Sequence, residues 1–282
     1  MPDISTSLGI IGYPISHSIS PIFQQAGINH NNFNETYKSY EVHPDQLKDF
    51  MLRVRKTKMI GLNVTVPHKT SVISYLDDVD EWAVRAGAVN TIVRNGDVLK
   101  GYNTDGFGFM EGLYRNTNVS IDSINVLILG AGGSARAVLL SLMDAGAKSI
   151  CIANRTLSKA ELLKTECENN VTAVDVVATE DPKFVSYVEN AGLIINCTTI
   201  GMKNTEGKLP FTSENIREDT ILYDLVYNPL RTLMLNEGEK VNCTRIGGID
   251  MLVYQGVKSF ELWFESKAPV EIMLRAAKSV VL

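Results

Sequence analysis

Cysteine and histidine are scarce in this 282-residue chain, with four of each. The cysteines, Cys151, Cys167, Cys197 and Cys243, form no C-x-x-C pair, and each lies among residues that read as core or connecting segment. They are expected to be reduced, unreactive thiols rather than a disulfide framework or a redox pair. His17, His30, His43 and His68 stand at no metal-ligand interval such as H-E-x-x-H, so no metal is expected. No apolar run approaches the ~18 residues that span a bilayer, and Met1-Pro2-Asp3 lacks the charged-then-apolar pattern of a signal peptide. The expectation is a cytoplasmic chain with no membrane partner. Basic residues are outnumbered, 27 against 32 acidic ones for a net charge of −5, and are scattered, which leaves no stripe for a nucleic-acid partner. Internal repeats and low-complexity linkers are also missing. What is present is ordinary globular composition, 45% hydrophobic and 21% charged, and enough length for two domains of about 150 residues each.

Strand-like and helix-like stretches alternate, which predicts an α/β fold with parallel sheets covered by helices. Leu8 to Gly12 is a short apolar run. After it, Ser20 is expected to cap a helix whose first position suits Pro21. Lys38 to Val42 reads as a second strand, His43-Pro-Asp-Gln as the start of a helix through Arg55, and Ile60 to Val66 as a third strand stopped by Pro67. Ala88 to Arg94 and Asp97 to Tyr102 flank Asn95-Gly96, a dipeptide that favours a type I′ hairpin turn. From Ile124 the character changes. Asn125-Val-Leu-Ile-Leu129 suits a strand buried on both faces, and strands follow at 149–153, 173–177, 193–197, 220–224 and 242–245 in a doubly wound, Rossmann-type order. The helical stretch 251–282 comes after that region is complete and is expected to return to the first domain. The expected division is 1–105 with 251–282 as one domain and 106–250 as the other.

Gly130-Ala131-Gly132-Gly133-Ser134-Ala135 follows the buried strand at once and opens a helix read as 135–144. Small residues there let backbone N–H groups and the positive end of the helix dipole meet a pyrophosphate. The end of the next strand distinguishes the two dinucleotides. An NAD site carries an acid about 20 residues on, to accept from the ribose 2′-hydroxyl, whereas an Arg accommodates a 2′-phosphate. Here that place holds Asn154-Arg155-Thr156, with Lys159 beyond and no acid among them. Arg155 offers a bidentate fork, so NADP is favoured over NAD, unless Arg155 is merely a solvated surface residue.

Polar residues also collect where elements end in the first domain. Ser16, Ser18 and Ser20 could hold a carboxylate or could simply cap a helix, and His17 reads as structural. In Asn63-Val-Thr-Val-Pro-His-Lys69, alternation puts Asn63 and Thr65 on one strand face, with Lys69 just beyond its end. Asn90 and Asp105 lie at further boundaries. Singly, Lys69 would be a solvated lysine and Asp105 a helix cap. Together they supply the acid/base pair that hydride transfer at a carbinol needs.

Eight segments in order make the chain resemble the shikimate dehydrogenase family: residues 12–21, 63–69, 87–91 (Gly-Ala-Val-Asn-Thr), 102–106 (Tyr-Asn-Thr-Asp-Gly), the glycine loop, 154–156, 227–229 (Tyr-Asn-Pro) and 247–255 (Gly-Gly-Ile-Asp-Met-Leu-Val-Tyr-Gln). The resemblance implies that Ser18, Ser20 and Tyr227 hold a substrate carboxylate. It implies that Asn63, Thr65, Asn90, Asp105 and Gln255 hold ring hydroxyls, with Lys69 as general acid/base paired to Asp105. It places cofactor contacts on 130–135 and 154–159, and on Leu225, Gly248 and Glu81. One departure stands in Asn196-Cys-Thr-Thr-Ile-Gly-Met202, where Cys197 and Thr199 replace the usual Ala and Ser; the retained Gly201 is expected to preserve the loop's shape. The implied activity is reversible NADP-dependent reduction of 3-dehydroshikimate to shikimate, a small-molecule substrate, in aromatic amino-acid biosynthesis. A quinate/shikimate dehydrogenase using NAD, and a silent binding protein for NADP or a cyclitol acid, are the rival readings. The oligomeric state stays open, a homodimer included.

Overall fold

A computed structural model describes residues 4, 7–167, 171–203, 205 and 207–281; Met1-Pro2-Asp3, and the last residue of the stretch expected to be helical, lie outside them. Along the chain run β1 (Leu8–Gly12), α1 (Ser20–His30), β2 (Tyr37–Glu41), α2 (Leu47–Arg55), β3 (Gly61–Val64), β4 (Asp78–Val79), α3 (Glu81–Ala86), β5 (Thr91–Asn95), β6 (Val98–Tyr102) and α4 (Asp105–Asn116). There follow β7 (Asn125–Leu129), α5 (Gly133–Asp144), β8 (Ser149–Asn154), α6 (Leu157–Cys167), β9 (Ala173–Ala178), α7 (Phe184–Asn190), β10 (Leu193–Asn196), β11 (Ile221–Asp224), α8 (Leu233–Lys240), β12 (Thr244–Gly247), α9 (Gly248–Phe264) and α10 (Val270–Lys278). The chain divides into two compact units, Met1–Asp105 with Val253–Val280, and Gly106–Leu252 with Val281–Leu282. Among the described residues no helix is long and apolar enough to cross a membrane.

The first unit is built on a six-stranded sheet of order β2-β1-β3-β5-β6-β4. All five residues of β1 are buried, because parallel strands flank it on both sides. Strand β3 turns the sheet from parallel to antiparallel, pairing with β1 on one side and β5 on the other. The β3–β5 register sets Asn63 opposite Thr91, and this pairing builds part of the site. Phe50, Met51 and Val54 of α2 pack with Ile11, Leu62, Val64 and Ile92 of the sheet. Residue 61 must be glycine for α9 to lie against this sheet. A Cβ there would sit 2.0 Å from Nε1 of Trp263, which donates to the Ile92 carbonyl at 2.9 Å. Helix α9 from Val253 onward and helix α10 belong to this unit, with α10 packed on α1.

The second unit is a wholly parallel sheet of order β12-β11-β10-β7-β8-β9. Read from β9, its strands run third, second, first, fourth, fifth, sixth, the order of dinucleotide-binding sheets. Phe184 and Val188 of α7 and Met234 of α8 cover Leu127, Leu129, Ile194 and Leu222.

Several expectations are corrected. Ser20 does not cap α1: Ile19 occupies the cap position without a side-chain bond, and Ser20 is the first helical residue, its N–H donating to Ser18 Oγ at 3.3 Å. The hairpin turn falls on Gly96-Asp97 rather than Asn95-Gly96, since Asn95 stays in the ladder opposite Val98. Only Gly96, at φ 61°, is left-handed there, which does not match the two positive φ values of a type I′ turn. Helix α5 starts at Gly133, two residues earlier than expected. The C-terminal stretch is two helices, interrupted after Phe264 where Glu265 takes φ 49°. The short strand β4, which lies parallel to β6 at the sheet edge, carries no clear sequence signal.

Candidate active site

In the first unit, Lys69 lies on the turn that leaves β3. That turn is anchored at several points. His68, buried, meets the Val42 carbonyl through Nε2 at 2.7 Å, and since a carbonyl can only accept, this nitrogen carries the proton. The Lys69 carbonyl accepts from the Val89 N–H at 2.8 Å. With its backbone held, the Lys69 ammonium meets Asp105 Oδ2 at 2.6 Å. The Lys69 side chain keeps 27% of its exposure and that of Asp105 only 11%, so the pair is shielded yet reachable.

Asp105 opens α4 but does not cap it; the Asn103 side chain accepts the Asp105 N–H at 2.9 Å, and this leaves both carboxylate oxygens for other partners. The second partner is Asn90, whose Nδ2 donates to Oδ1 at 2.8 Å. The orientation of the Asn90 amide follows from chemistry. Its other end faces the Thr104 N–H at 2.9 Å, an obligate donor, so Oδ1 must lie there and Nδ2 must face Asp105. Gln255 on α9 closes the group, its Oε1 3.3 Å from Asn90 Nδ2. Lys69, Asn90, Asp105 and Gln255 are thus brought together from four separate segments.

Asn63 lies behind this group. It is 4% exposed, its Oδ1 accepts from Tyr37 Oη at 2.8 Å, and its Nδ2 faces the Asn90 carbonyl, Thr91 Oγ1 and Ser259 Oγ at 3.1 to 3.2 Å. Both ends of its amide are thus hydrogen-bonded inside the protein. Thr65 lies one residue past β3, half-buried, its methyl group against Gly12. Ser18 and Ser20 sit at the start of α1, half-buried and buried. Glu81 is exposed in the first turn of α3.

In the second unit, Gly130 follows β7 at φ 101°, a conformation side chains resist, with a Cβ position 3.0 Å from Thr198. Gly132 caps α5 and Gly133 begins it; a Cβ on either would meet nothing within 4 Å, so the helix end presents bare backbone. Ser134 is exposed, Ala131 half-buried, and Ala135 points into the core with no exposure. Beside this loop is a cavity of about 680 Å³, bordered by Gly130, Ala153, Asn154, Arg155, Thr198 and Thr199. Asn154 holds the β8 turn through Nδ2 to the Thr156 carbonyl at 2.8 Å, and Arg155 is exposed at the cavity wall. Thr156 and Lys159 are exposed on the α6 side and do not border the cavity, whereas Lys208, unforeseen, does.

The 196–202 loop is tied to its own first residue. Gly201 takes φ 92°, and Thr198 Oγ1 and N–H both donate to Asn196 Oδ1, at 2.6 and 3.0 Å. Asn196 in turn donates to Asp224 at 2.8 Å; Asp224 is fully buried, and burial pushes its carboxyl above the usual range. Leu225 and Gly248 are in contact, since a Cβ on Gly248 would fall 2.2 Å from the Leu225 carbonyl oxygen. Burial also raises the phenol of half-buried Tyr227. The cysteines are free thiols, and burial pushes Cys151 up to about 12. Among the described residues no group of three or more His, Cys, Asp or Glu is placed to hold a metal.

Four residues of the site went unnamed in the sequence reading: His68 in this role, Thr91, Thr104 and Ser259. Thr91 and Thr104 adjoin named residues, and Ser259 lies four residues past Gln255 on one face of α9.

Known proteins match the chain along most of its length. Residues 10–92 match the family described as shikimate dehydrogenase substrate binding domain, 113–204 that described as shikimate / quinate 5-dehydrogenase, and 248–278 the shikimate 5′-dehydrogenase C-terminal domain. A shikimate dehydrogenase (NADP(+)) of Geobacillus sp. (strain WCH70) is 42% identical over 254 residues, 90% of this chain and 91% of the relative. A crystal structure of a shikimate dehydrogenase in complex with NADP+ superposes with a TM-score of 0.90 at 37% identity, covering 98% of this chain and 95% of the other. The enzyme of Thermus thermophilus, in complex with NADP(H) and shikimate, gives 0.86 at 30% identity, over 96% and 98%. With its paired Lys69 and Asp105, its glycine-opened helix beside Arg155 and this likeness along nearly its whole length, the chain belongs to the shikimate dehydrogenase family.

Proposed function

We propose that Lys69 is the proton donor and acceptor of an NADP-dependent enzyme that reversibly reduces 3-dehydroshikimate to shikimate, a step of aromatic amino-acid biosynthesis. The observation that carries this reading is the 2.6 Å contact between Lys69 and Asp105, with Asn90 fixed behind it. In the reducing direction the Lys69 ammonium delivers a proton to the oxygen on which negative charge develops. In the oxidising direction the neutral amine takes the proton back. Asp105 keeps the amine aimed, so the cation need not reorganise as charge grows, and it stabilises the transition state more than the ground state.

The residues present fit NADP. Bare backbone at Gly132 and Gly133 and the N-terminus of α5 suit the pyrophosphate, and Arg155 at the cavity wall suits a 2′-phosphate. When bound, NADP supplies the nicotinamide that exchanges the hydride. Leu225, Gly248 and Glu81 complete the proposed cofactor contacts. Ser18, Ser20 and Tyr227 are assigned to the substrate carboxylate, and Thr65, Asn90 and Gln255 to ring hydroxyls. Asn63 acts from behind, as support for Asn90 and Thr91. The proposal gives residues 1–105 with 251–282 the substrate contacts other than Tyr227, and 106–250 the cofactor contacts other than Glu81. It includes a cytoplasmic location, which fits four free cysteines, three of them buried; whether the chain is a monomer or a homodimer is read by light scattering on the purified chain.

The test is turnover with shikimate and quinate, each with NADP+ and NAD+. Turnover confined to shikimate with NADP+ supports the reading. A preference for NAD+ of more than about tenfold refutes the role of Arg155, and a preference for quinate refutes the substrate assignment.

A further inference from the structure

Resting on the assignment of Lys69 and Asp105 above, the hydrogen bonding continues inward from Asn90 to groups outside the substrate assignment. Thr91 and Ser259 are fully buried, and Tyr37 is 3% exposed. Ser259 Oγ and Thr91 Oγ1 are 2.7 Å apart, and Thr91 Oγ1 donates to Asn90 Oδ1 at 3.0 Å. A hydroxyl has one hydrogen to give. Ser259 Oγ also lies 3.0 Å from the Gln255 carbonyl, which can only accept, so its one hydrogen is shared between that carbonyl and Thr91 Oγ1, and it accepts from Asn63 Nδ2 at 3.1 Å. Asn63 in turn accepts from Tyr37 at 2.8 Å. Tyr37, Asn63, Ser259, Thr91 and Asn90 are thus joined in one buried hydrogen-bonded chain that ends on the Asp105 carboxylate. In such a chain each bond polarises the next, and it ends on a charge that rewards the polarisation.

We propose that Thr91 and Ser259 are positioning residues for the proton transfer: their hydroxyls fix the Asn90 carboxamide and strengthen its donation to Asp105, which holds the carboxylate against Lys69. Neither hydroxyl needs to touch substrate. The effect belongs to turnover, and it depends on the hydroxyl rather than on packing.

Thr91→Val removes the hydroxyl at nearly constant volume, Thr91→Ser keeps it, and Ser259→Ala breaks the next link. The full-length variants are assayed for kcat, for KM of shikimate and of NADP+, and for thermal unfolding, with Lys69→Met alongside. Loss of one net hydrogen bond of about 1 kcal/mol predicts roughly a fivefold fall in kcat for Thr91→Val and Ser259→Ala. The KM for NADP+ stays unchanged, and Thr91→Ser returns kcat to within about twofold of the parent. Parental kcat in Thr91→Val, or a Thr91→Ser variant as slow as Thr91→Val, overturns the proposal. If Thr91→Val does not fold, parental kcat in Ser259→Ala overturns it equally. Lys69→Met separates the two levels: if it retains turnover, the assignment of Lys69 fails and this inference with it. If it is inactive while Thr91→Val and Ser259→Ala run at the parental rate, only the positioning role fails.

Discussion

Asp105→Asn changes one atom type and leaves the shape of the side chain alone, yet the structure predicts a large loss. The native carboxylate accepts twice, from Lys69 at 2.6 Å and from Asn90 at 2.8 Å. An amide can accept at one end only. Asn90 cannot turn to compensate, because the Thr104 N–H holds its oxygen at 2.9 Å. The new NH2 must therefore face either the Lys69 ammonium or the Asn90 NH2, donor against donor. A charge-assisted hydrogen bond contributes about 1.5–3 kcal/mol, and a donor left unsatisfied costs about 1–3 kcal/mol more. Lys69 keeps 27% of its side-chain exposure, so water screens part of this. A loss of about 3 kcal/mol, or roughly a hundredfold in kcat, is expected. The assay is shikimate-dependent reduction of NADP+ at saturation, with the KM for NADP+ as the internal control. A variant within about threefold of the parental kcat would show that the carboxylate does not aim the lysine.

Arg155→Ala should raise the KM for NADP+ by roughly tenfold or more, from the loss of a charge-assisted contact of about 1.5–3 kcal/mol, and should leave that for NAD+ alone; equal effects would remove the guanidinium from the 2′-phosphate. Gly61→Ala forces a methyl to within 2.0 Å of Trp263 and should lower stability by about 1–3 kcal/mol or more, read as a drop in the thermal midpoint; an unchanged midpoint would mean that α9 can move off the sheet. The Arg55 guanidinium, and next the Leu99 N–H, hold the Asp77 carboxyl below its usual range. A depressed carboxylate stabilises above its unfolded pKa and ceases to as pH falls through the folded one. The difference in thermal midpoint between the parent and Asp77→Asn should thus be steady near neutrality and shrink below about pH 4; a difference that grows with acid would reverse the sign of the argument.

The elements that could be read in the sequence are those whose burial is two-sided. Strands β1 and β7 are continuous apolar runs because neighbours cover them on both flanks, and the glycine loop is marked by its place directly after β7. Details set by competition between local and tertiary bonds were less legible. Asn95-Gly96 is a good turn pair in isolation, but pairing of Asn95 with Val98 moved the turn by one residue. Ser20 is a good cap by type, but Ser18 captured its N–H. The role of Asn63 depends on the register that sets it opposite Thr91 and on a serine 196 positions away, neither of which spacing along the chain reveals. Lys69, Asn90 and Asp105 were legible only as a set of polar residues at element ends. Lys208 reaches the cavity from a loop whose course the sequence does not announce.

The most direct test is Lys69→Met, which keeps the length of the stem and removes the ammonium. NADP+ binding, measured by calorimetry, should match the parent, while turnover with shikimate falls by roughly a thousandfold or more, within the range of general acid–base contributions. Turnover near the parental rate with Lys69 gone would place the proton on another group and contradict the account.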